Sequence, residues 1–535
     1  MKRLHRRLLR VSVALTACSG IHMAGALAET PTPREIVSKS VQQLGSADFN
    51  ERVLGGVHLE SMPYSNVSLI EVAEKQPDLD PQVKDRLDHL LNRIHARINF
   101  WKWEHARRVE FDTYALKADL SAYDQGGHAD PKWDDAARQS FALKAKGGMS
   151  ETASERKQLH EETKKLLGSA IAAGCDDPAV LVTAGLESAD TAEPVEKVAA
   201  WFDRALKSAD ARTDPYIKVI IDGRELRQKS TGIAALLTEE DRQECKRLAD
   251  DMEHQYQLAA KAPGVPAQMM ESMADNVFES CKTVIVKPRD LFDAVYPSLE
   301  TAYPNDPNVL AFKGKFYINY AWEARGAGAA GRVTQQGWKD FADRLDVANA
   351  ALTKAWELDP AFPAPPTLML KVELGQGKGA NVMETWFQRA MAANPDNLQA
   401  CQTKLLYLQP KWHGNPEAMI KFGRECYEDG DWRENLPFLL VDAHVDLAKL
   451  AADQSTYYQQ ETVWPDIHDV YTTYLQLRPE NDKARTILAH YACLCGQWKT
   501  ANDLFKQLGD KADASVFGDK FRLKESQRQA AEHAE

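Results

Sequence analysis

Residues 348–360 read ANAALTKAWELDP and contain four positions whose spacing recurs along the chain. A small residue, Ala348, is followed four places later by a large apolar one, Leu352. Ala355 comes three places after Leu352, and Pro360 five further on. Residues with this spacing pack two antiparallel helices together, and the proline ends the second helix. The stretch therefore predicts a helical hairpin, and further copies would indicate a repeat.

The same spacing occurs at several other places. The segment METWFQRAMAANPD repeats it 35 residues further on. The matches are Val198, Phe202 and Ala205; Val295, Leu299, Ala302 and Pro307; Met383, Phe387, Ala390 and Pro395; and Ile467, Tyr471, Tyr474 and Pro479. From about residue 160 to 515 the chain resembles tetratricopeptide-repeat (TPR) proteins. The predicted fold class is all-α, an α-solenoid of TPR-like helix pairs preceded by a small helical module.

The preceding module occupies residues 33–110. Leu87, Leu90, Leu91 and Ile94 fall on one helical face. The segments LGSADFNER and DPQVKDRLDHLLNRI resemble short HEAT-like helical modules of exported bacterial proteins. The segments YINYAWEARG, KVELGQGKG and YLQPKWHGNPEAMIKFGREC resemble a family of exported bacterial TPR proteins whose biochemical activity is uncharacterised.

Composition divides the rest of the chain. Residues 111–157 are rich in Gly, Asp, Ser and Lys and predict a linker or loosely packed connection. The TPR-like domain is expected to span 158–515, and 516–535 to form a polar tail. Residues 1–28 have the pattern of a signal peptide.

The signal pattern begins with five basic residues in the first ten positions, followed by an apolar run to Ala28. The sequence Ala26-Leu27-Ala28 predicts cleavage after Ala28. The alternative is a lipid anchor at Cys18, because Leu15 to Cys18 resembles a lipobox, although that leaves a short apolar segment. We expect an exported protein, periplasmic or extracellular. No later stretch is apolar enough for a membrane span.

The charge argues against one class of partner. The formal net charge is -12, and removal of the five basic signal residues leaves -17. Such a surface repels phosphate backbones, and no basic, aromatic-interleaved run offsets it. We therefore expect no nucleic acid partner.

One glycine motif could indicate a cofactor. Residues 322–334, WEARGAGAAGRVT, place Gly326, Gly328 and Gly331 in the spacing G-x-G-x-x-G. A dinucleotide site needs a strand before this motif and a helix directly after it. Apolar residues alternate before it as in a strand, but Pro307 lies in the repeat register and favours a helix. The motif is interpreted as a lengthened loop, and no cofactor is expected.

A second segment, PKWHG, places Lys411, Trp412 and His413 at a break between helices. His413 could act as an acid or base, but no partnered nucleophile or carboxylate motif accompanies it. A packed corner and a recognition surface remain alternatives. With Arg325, these three residues form the candidate recognition surface.

No metal site and no catalytic residue are predicted. His490 and Cys493 form an i, i+3 pair near Cys495, but one helix supplies too few ligands for a closed tetrahedral site. Packing is the favoured interpretation, and the seven cysteines beyond residue 28 are expected to be mostly buried, unpaired thiols. Motifs of serine hydrolases, zinc proteases, P-loop proteins and EF-hands do not occur.

These observations favour a non-enzymatic scaffold that binds a protein or peptide on the concave side of the TPR array, outside the cytoplasm. One alternative is an enzyme or small-ligand-binding protein with its site at the Gly326 loop and the corner from Lys411 to Gly414. Another is a structural component of the cell envelope.

Overall fold

The computed structural model describes residues 31–188, 194–230, 238–281, 287–429, 432 and 435–534. Within these ranges the regular structure is helical, and no residue lies in a β-strand. The predicted signal peptide, with Cys18 and Ala28, lies outside the described residues.

The helices are numbered in chain order. The first twelve are α1 (Pro33–Leu44), α2 (Phe49–Glu60), α3 (Val67–Glu74), α4 (Pro81–Gly126), α5 (Asp134–Met149), α6 (Ala153–Ala172), α7 (Pro178–Ser188), α8 (Val195–Ser208), α9 (Pro215–Ser230), α10 (Glu239–Ala259), α11 (Ala267–Cys281) and α12 (Pro288–Ala302). The next twelve are α13 (Pro307–Arg325), α14 (Gln335–Leu358), α15 (Ala364–Gln376), α16 (Ala380–Ala393), α17 (Leu398–Tyr407), α18 (Pro416–Asp429), α19 (Leu439–Leu450), α20 (Gln454–Tyr458), α21 (Val463–Leu477), α22 (Asp482–Leu494), α23 (Trp498–Leu508) and α24 (Lys520–Glu532).

The chain forms two compact units. The central unit is Phe100–Val372, and the split unit combines the described residues up to Asn99 with those from Glu373 onward. These boundaries differ from the sequence-based division at residues 110 and 158. The difference arises because residues far apart in sequence pack together in the split unit.

Helix α2 packs against the C-terminal repeats within the split unit. The Phe49 ring lies 4.9 Å from that of Tyr427, between centroids. Thr473 Oγ1 donates a hydrogen bond of 2.6 Å to Asn50 Oδ1. Val53 is buried in the same hydrophobic core as Tyr427. The N-terminal helices are therefore integral to this unit.

A buried ion network adds to this packing. Glu60 is 4% exposed and Arg97 is 3% exposed. Arg97 Nη1 lies 3.1 Å from Glu60 Oε2, and Arg97 Nε lies 2.8 Å from Asp396 Oδ1. Arg93 also pairs with Glu60. Because each charge has an opposite partner, the network joins α2 and α4 to the start of α17 with its charges compensated.

Successive helices of the central unit pack as repeat pairs. Helices α7 and α8, α9 and α10, and α13 and α14 are neighbours, while α7, α9, α11 and α13 contact one another in order. Ala348, Leu352 and Ala355 are buried, as their spacing predicts. A Cβ at Gly314 would lie 2.4 Å from Leu352 Cγ, so glycine permits the close approach of α13 and α14. The all-α solenoid of TPR-like helix pairs is confirmed.

Residues 111–157 differ from the expected loose connection. Helix α4 continues to Gly126, and α5 and α6 follow with short intervening turns. Tyr123 and Phe141 are fully buried and pack edge to face at 6.1 Å. The polar composition belongs to the exposed faces of these helices. The expected polar tail likewise contains α24, which buries Leu523 and Ala530.

The alternating segment before the glycine motif is helical. Asp306 Oδ1 accepts a hydrogen bond of 2.8 Å from Asn308 N and caps α13, with Pro307 at its first position. Phe312 and Phe316 are buried on the same face, as an i, i+4 pair. Among the described helices, none is both long and apolar enough to cross a bilayer.

Candidate binding site along helix α9

Two adjoining cavities lie along α9 in the central unit, and Lys218 lines both. The first has a volume of about 210 Å³ and the second about 420 Å³. We call them together the α9 cleft. The first is lined by Leu206, Ala209, Asp210, Lys218, Ile221, Asp222, Arg247 and Asp251. The second is lined by Gln125, Ala211, Arg212, Thr213, Asp214, Pro215, Lys218, Gln255 and Leu258.

Two carboxyl groups meet in the first cavity. Asp222 of α9 is 8% exposed, and its buried Oδ2 accepts no hydrogen bond from the described residues. Burial, together with the charge and contact of Asp251 on α10, raises the pKa of Asp222 to about 7. Two adjacent carboxylates resist joint ionisation. Near neutral pH the Asp222 carboxyl is therefore partly protonated and can donate to Asp251.

The cations of this cavity compensate the carboxyl pair only in part. Arg247 donates through Nε and Nη2 to the two carboxylate oxygens of Glu244, each at 2.9 Å. Lys218 is half-buried and has no ion-pair partner in the described part of the chain. Both cations lower the pKa of Asp222, but burial and Asp251 outweigh them.

The local sequence explains how the carboxyl groups come together. In KVIIDGREL, Asp222 follows three apolar residues and precedes Gly223. A Cβ at Gly223 would lie 2.8 Å from Ser280 Oγ and 2.9 Å from Met252 Cε. Glycine therefore allows α9 to approach α10 and α11 closely. Since Met252 is next to Asp251, this approach brings the two aspartates into contact.

The second cavity continues the polar lining. Asp214 Oδ1 accepts a 2.8 Å hydrogen bond from Tyr216 N at the start of α9, and burial raises the pKa of Asp214. Arg212 pairs with Asp210 Oδ2 through Nε at 3.0 Å and Nη2 at 2.7 Å. Gln255 Nε2 reaches Asp251 Oδ1 at 3.4 Å and so connects the two cavities.

The cleft is suited to recognition through charge and hydrogen bonds. Carboxyl groups in direct contact are closer than the roughly 5 Å or more that glycoside hydrolysis requires. Neither lining includes a Ser, Cys or His side chain. The available groups are carboxylates, two amides, a hydroxyl and cations, which are the groups that fix a ligand's orientation.

Arg325, predicted from the sequence, lies at the end of α13. Its Nη1 donates to the carbonyl oxygens of Gly326 and Gly328, each at 3.1 Å. Its guanidinium lies 5.6 Å from the Trp322 ring and 5.7 Å from that of Trp338. The glycine motif follows a helix and leads into a 3-10 turn rather than a phosphate-binding helix start, so the loop interpretation fits.

Lys411, Trp412 and His413 lie in the split unit, between α17 and α18. Lys411 and His413 are exposed, and Trp412 is half-buried. His413 stacks on Tyr407 at 4.6 Å between centroids, and its Nε2 donates to the carbonyl oxygen of Leu374 at 3.0 Å. The segment thus forms a corner that satisfies a carbonyl near the end of α15. Arg325 belongs to the central unit.

His490 has the contacts of a packed side chain. It meets the Phe517 ring edge to face at 4.8 Å, and burial lowers its pKa. Cys495 is buried, and burial raises the pKa of Cys493 to about 11. No group of three or more metal-binding side chains was found among the described residues.

The α9 cleft was not indicated by any sequence motif. A signal was present at Asp222, because a charged residue follows the apolar run from Val219 to Ile221 within a helix. Asp251 gave no such signal, because the sequence of α10 contains many charged residues and does not distinguish this one from the others. Their contact depends on tertiary packing at Gly223.

Comparisons with known proteins identify no relative by sequence. No family model matches the chain, and no curated protein is significantly similar to it. Among solved structures, an IFIT1 monomeric mutant with Gppp-AAAA has a TM-score of 0.32 at 13% identity. A human IFIT1 dimer with m7Gppp-AAAA has a TM-score of 0.35 at 11% identity. Each match covers 90% of this chain and 95% of the other. Both TM-scores lie below 0.5, and neither similarity identifies a ligand of this chain.

Proposed function

We propose that this protein is an exported, non-enzymatic helical-repeat scaffold that binds a peptide segment of another protein in the α9 cleft. The observation that carries the proposal is an open polar cleft between repeat helices in which Lys218 has no ion-pair partner among the described residues and the Asp222 carboxyl contacts a second carboxyl, Asp251. Stacked helix pairs commonly present such grooves to peptides. The signal pattern of residues 1–28 supports export.

The cavity sizes favour an extended ligand. Small-molecule sites usually measure about 300–1,000 Å³. The first cavity, about 210 Å³, is below this range and suits one side chain. The second, about 420 Å³, lies within this range, and because it adjoins the first it can hold the neighbouring backbone and another side chain of the same ligand. A peptide offers a side chain and flanking amides in this arrangement.

The charge of the cleft disfavours a phosphate backbone. Four carboxyl groups face three cations along the two linings. The cations are Lys218, Arg212 and Arg247, and the last two pair with Asp210 and Glu244. Nucleic acid binding draws on several cations released from such pairs. A peptide is therefore the partner that these groups favour.

Selection from a random peptide library tests the proposal. The mature protein should enrich a common sequence motif, and Ala211→Trp should abolish enrichment because Ala211 is exposed and lines the second cavity. Ala327→Trp is the matched control at an exposed position of the glycine loop. A mixed-sequence single-stranded RNA should not bind. Absence of a motif, equal enrichment by Ala211→Trp, or RNA binding lost in Ala211→Trp would contradict the proposal.

A further inference from the structure

We infer that Asp222 and Asp251 form a binding site for one basic side chain, a lysine ammonium or arginine guanidinium, of the bound peptide. The inference rests on the proposed function and specifies the group that the first cavity recognises.

The unmet hydrogen-bonding capacity of the cavity belongs to its carboxyl pair. Asp222 is more than nine-tenths buried and lines the cavity, and its Oδ2 receives no hydrogen bond from the described residues. In the ionised form of Asp222 this buried acceptor has no donor, which is unfavourable. In the protonated form the proton lies at the contact with Asp251, and an entering cation would have to displace it. An entering ammonium or guanidinium would supply both donors and opposite charge, and such charge-assisted bonds are among the strongest in proteins.

Lys218 could instead suggest an anion site, but its surroundings argue otherwise. Its side chain is only half-buried, so water can solvate the ammonium without a protein partner. Asp222 Oδ2, in contrast, is buried from water. Arg247 is committed to Glu244 through two nitrogen atoms. The deficit in the cavity is therefore one of positive charge and donors.

Proton linkage follows from the surroundings of the pair. Asp222 faces Asp251 and Arg247 from α10, Lys218 from α9 and Asp210 from the segment after α8. Burial and the neighbouring Asp251 raise the pKa of Asp222 to about 7, so a cation must compete with a proton. For a single group of this pKa, the ionised fraction rises about tenfold between pH 6 and pH 8. Affinity for the cation should rise by a similar factor.

Carbon NMR of protein labelled at the aspartate side-chain carboxyls tests this site without a known partner. The probes are n-butylammonium and n-butylguanidinium, with n-butanol as the neutral control. Asp222, identified from the signal missing in Asp222→Asn, should titrate near pH 7, and either cation should lower its pKa. Asp251→Asn should remove this response, whereas Asp203→Asn, at an exposed position of α8 outside the cleft, should keep it.

Lys218→Met distinguishes a cation site from an anion site. Removal of the lysine charge should strengthen the binding of a cation and weaken the binding of an anion. Loss of a like charge should strengthen binding of n-butylammonium a few-fold. Cations that leave the Asp222 titration unchanged, or whose binding weakens in Lys218→Met, would overturn the inference. Peptide selection remains a separate test: an enriched motif without Lys or Arg would overturn only the cation site, whereas no motif at all would overturn the proposed function.

Discussion

Asp222 is expected to make the folding stability of this protein depend on pH. In the folded chain its pKa is raised from 3.8 to about 7, so between these values the folded state holds a proton that the unfolded state has lost. Stability from this group therefore falls as pH rises through that window. Asp222→Asn should raise the free energy of unfolding at pH 8 by on the order of 1–2 kcal/mol, after allowance for water in the open cleft.

Urea unfolding at pH 4 and pH 8 measures this effect. The gain from Asp222→Asn should be present at pH 8 and nearly absent at pH 4. Asp203→Asn, at an exposed aspartate, is the control and should change little at either pH. A loss of stability at pH 8 in Asp222→Asn would show that the carboxylate is compensated in the folded protein.

Arg97 illustrates a different use of charge. It is buried between Glu60 and Asp396, whereas Arg528 forms ion pairs at an exposed site. Removing one member of a buried pair typically costs about 3–5 kcal/mol, whereas a fully exposed pair is screened by water and contributes little. Arg97→Met should lower the thermal unfolding temperature measurably by calorimetry, and Arg528→Met should not. Equal effects would contradict the assigned role of the network.

Among the connecting elements, the glycine loop offers a graded test. Gly326 has φ of 70° and ends α13, while the positions around Gly328 and Gly331 leave room for a Cβ. Gly326→Ala should cost roughly 1 kcal/mol, whereas Gly328→Ala and Gly331→Ala should be close to neutral. Thermal unfolding of the three variants checks this order. Micromolar binding of NAD or ATP that the substitutions remove would instead revive a nucleotide site.

The helices themselves were predictable where the repeat spacing was strong. The small and large residues of α12, α14, α16 and α21 identify helix pairs because that spacing reflects local packing of one face on another. The helices of residues 111–157 were not predictable from the sequence. Buried residues such as Tyr123 and Phe141 are outnumbered there by the polar residues of the exposed faces. The contact of Asp222 with Asp251 was also beyond reach, since it depends on helices brought together at Gly223.

Across the chain, the cysteines give a prediction about the exported form. Seven described cysteines are free, and all but Cys493 are buried. Mass spectrometry of the purified protein should show that it begins at Glu29. A thiol reagent should modify seven cysteines after denaturation and should react with them only slowly in the folded protein. Cys401 and Cys426 contact each other, so they are the pair whose oxidation would reduce the count to five. An intact Met1 or a lipid-modified Cys18 would contradict the predicted processing.

Peptide recognition by the α9 cleft is tested most directly by calorimetric titration of a library-selected peptide into the mature protein and two variants. Ala211→Trp places a bulky ring at the second cavity and should weaken binding at least about tenfold, which corresponds to about 1.4 kcal/mol. Ala327→Trp adds the same ring at the glycine loop and should leave the affinity within about twofold of the unmodified protein, a change of less than about 0.5 kcal/mol. Unchanged affinity in Ala211→Trp, or a loss confined to Ala327→Trp, would contradict binding in the cleft.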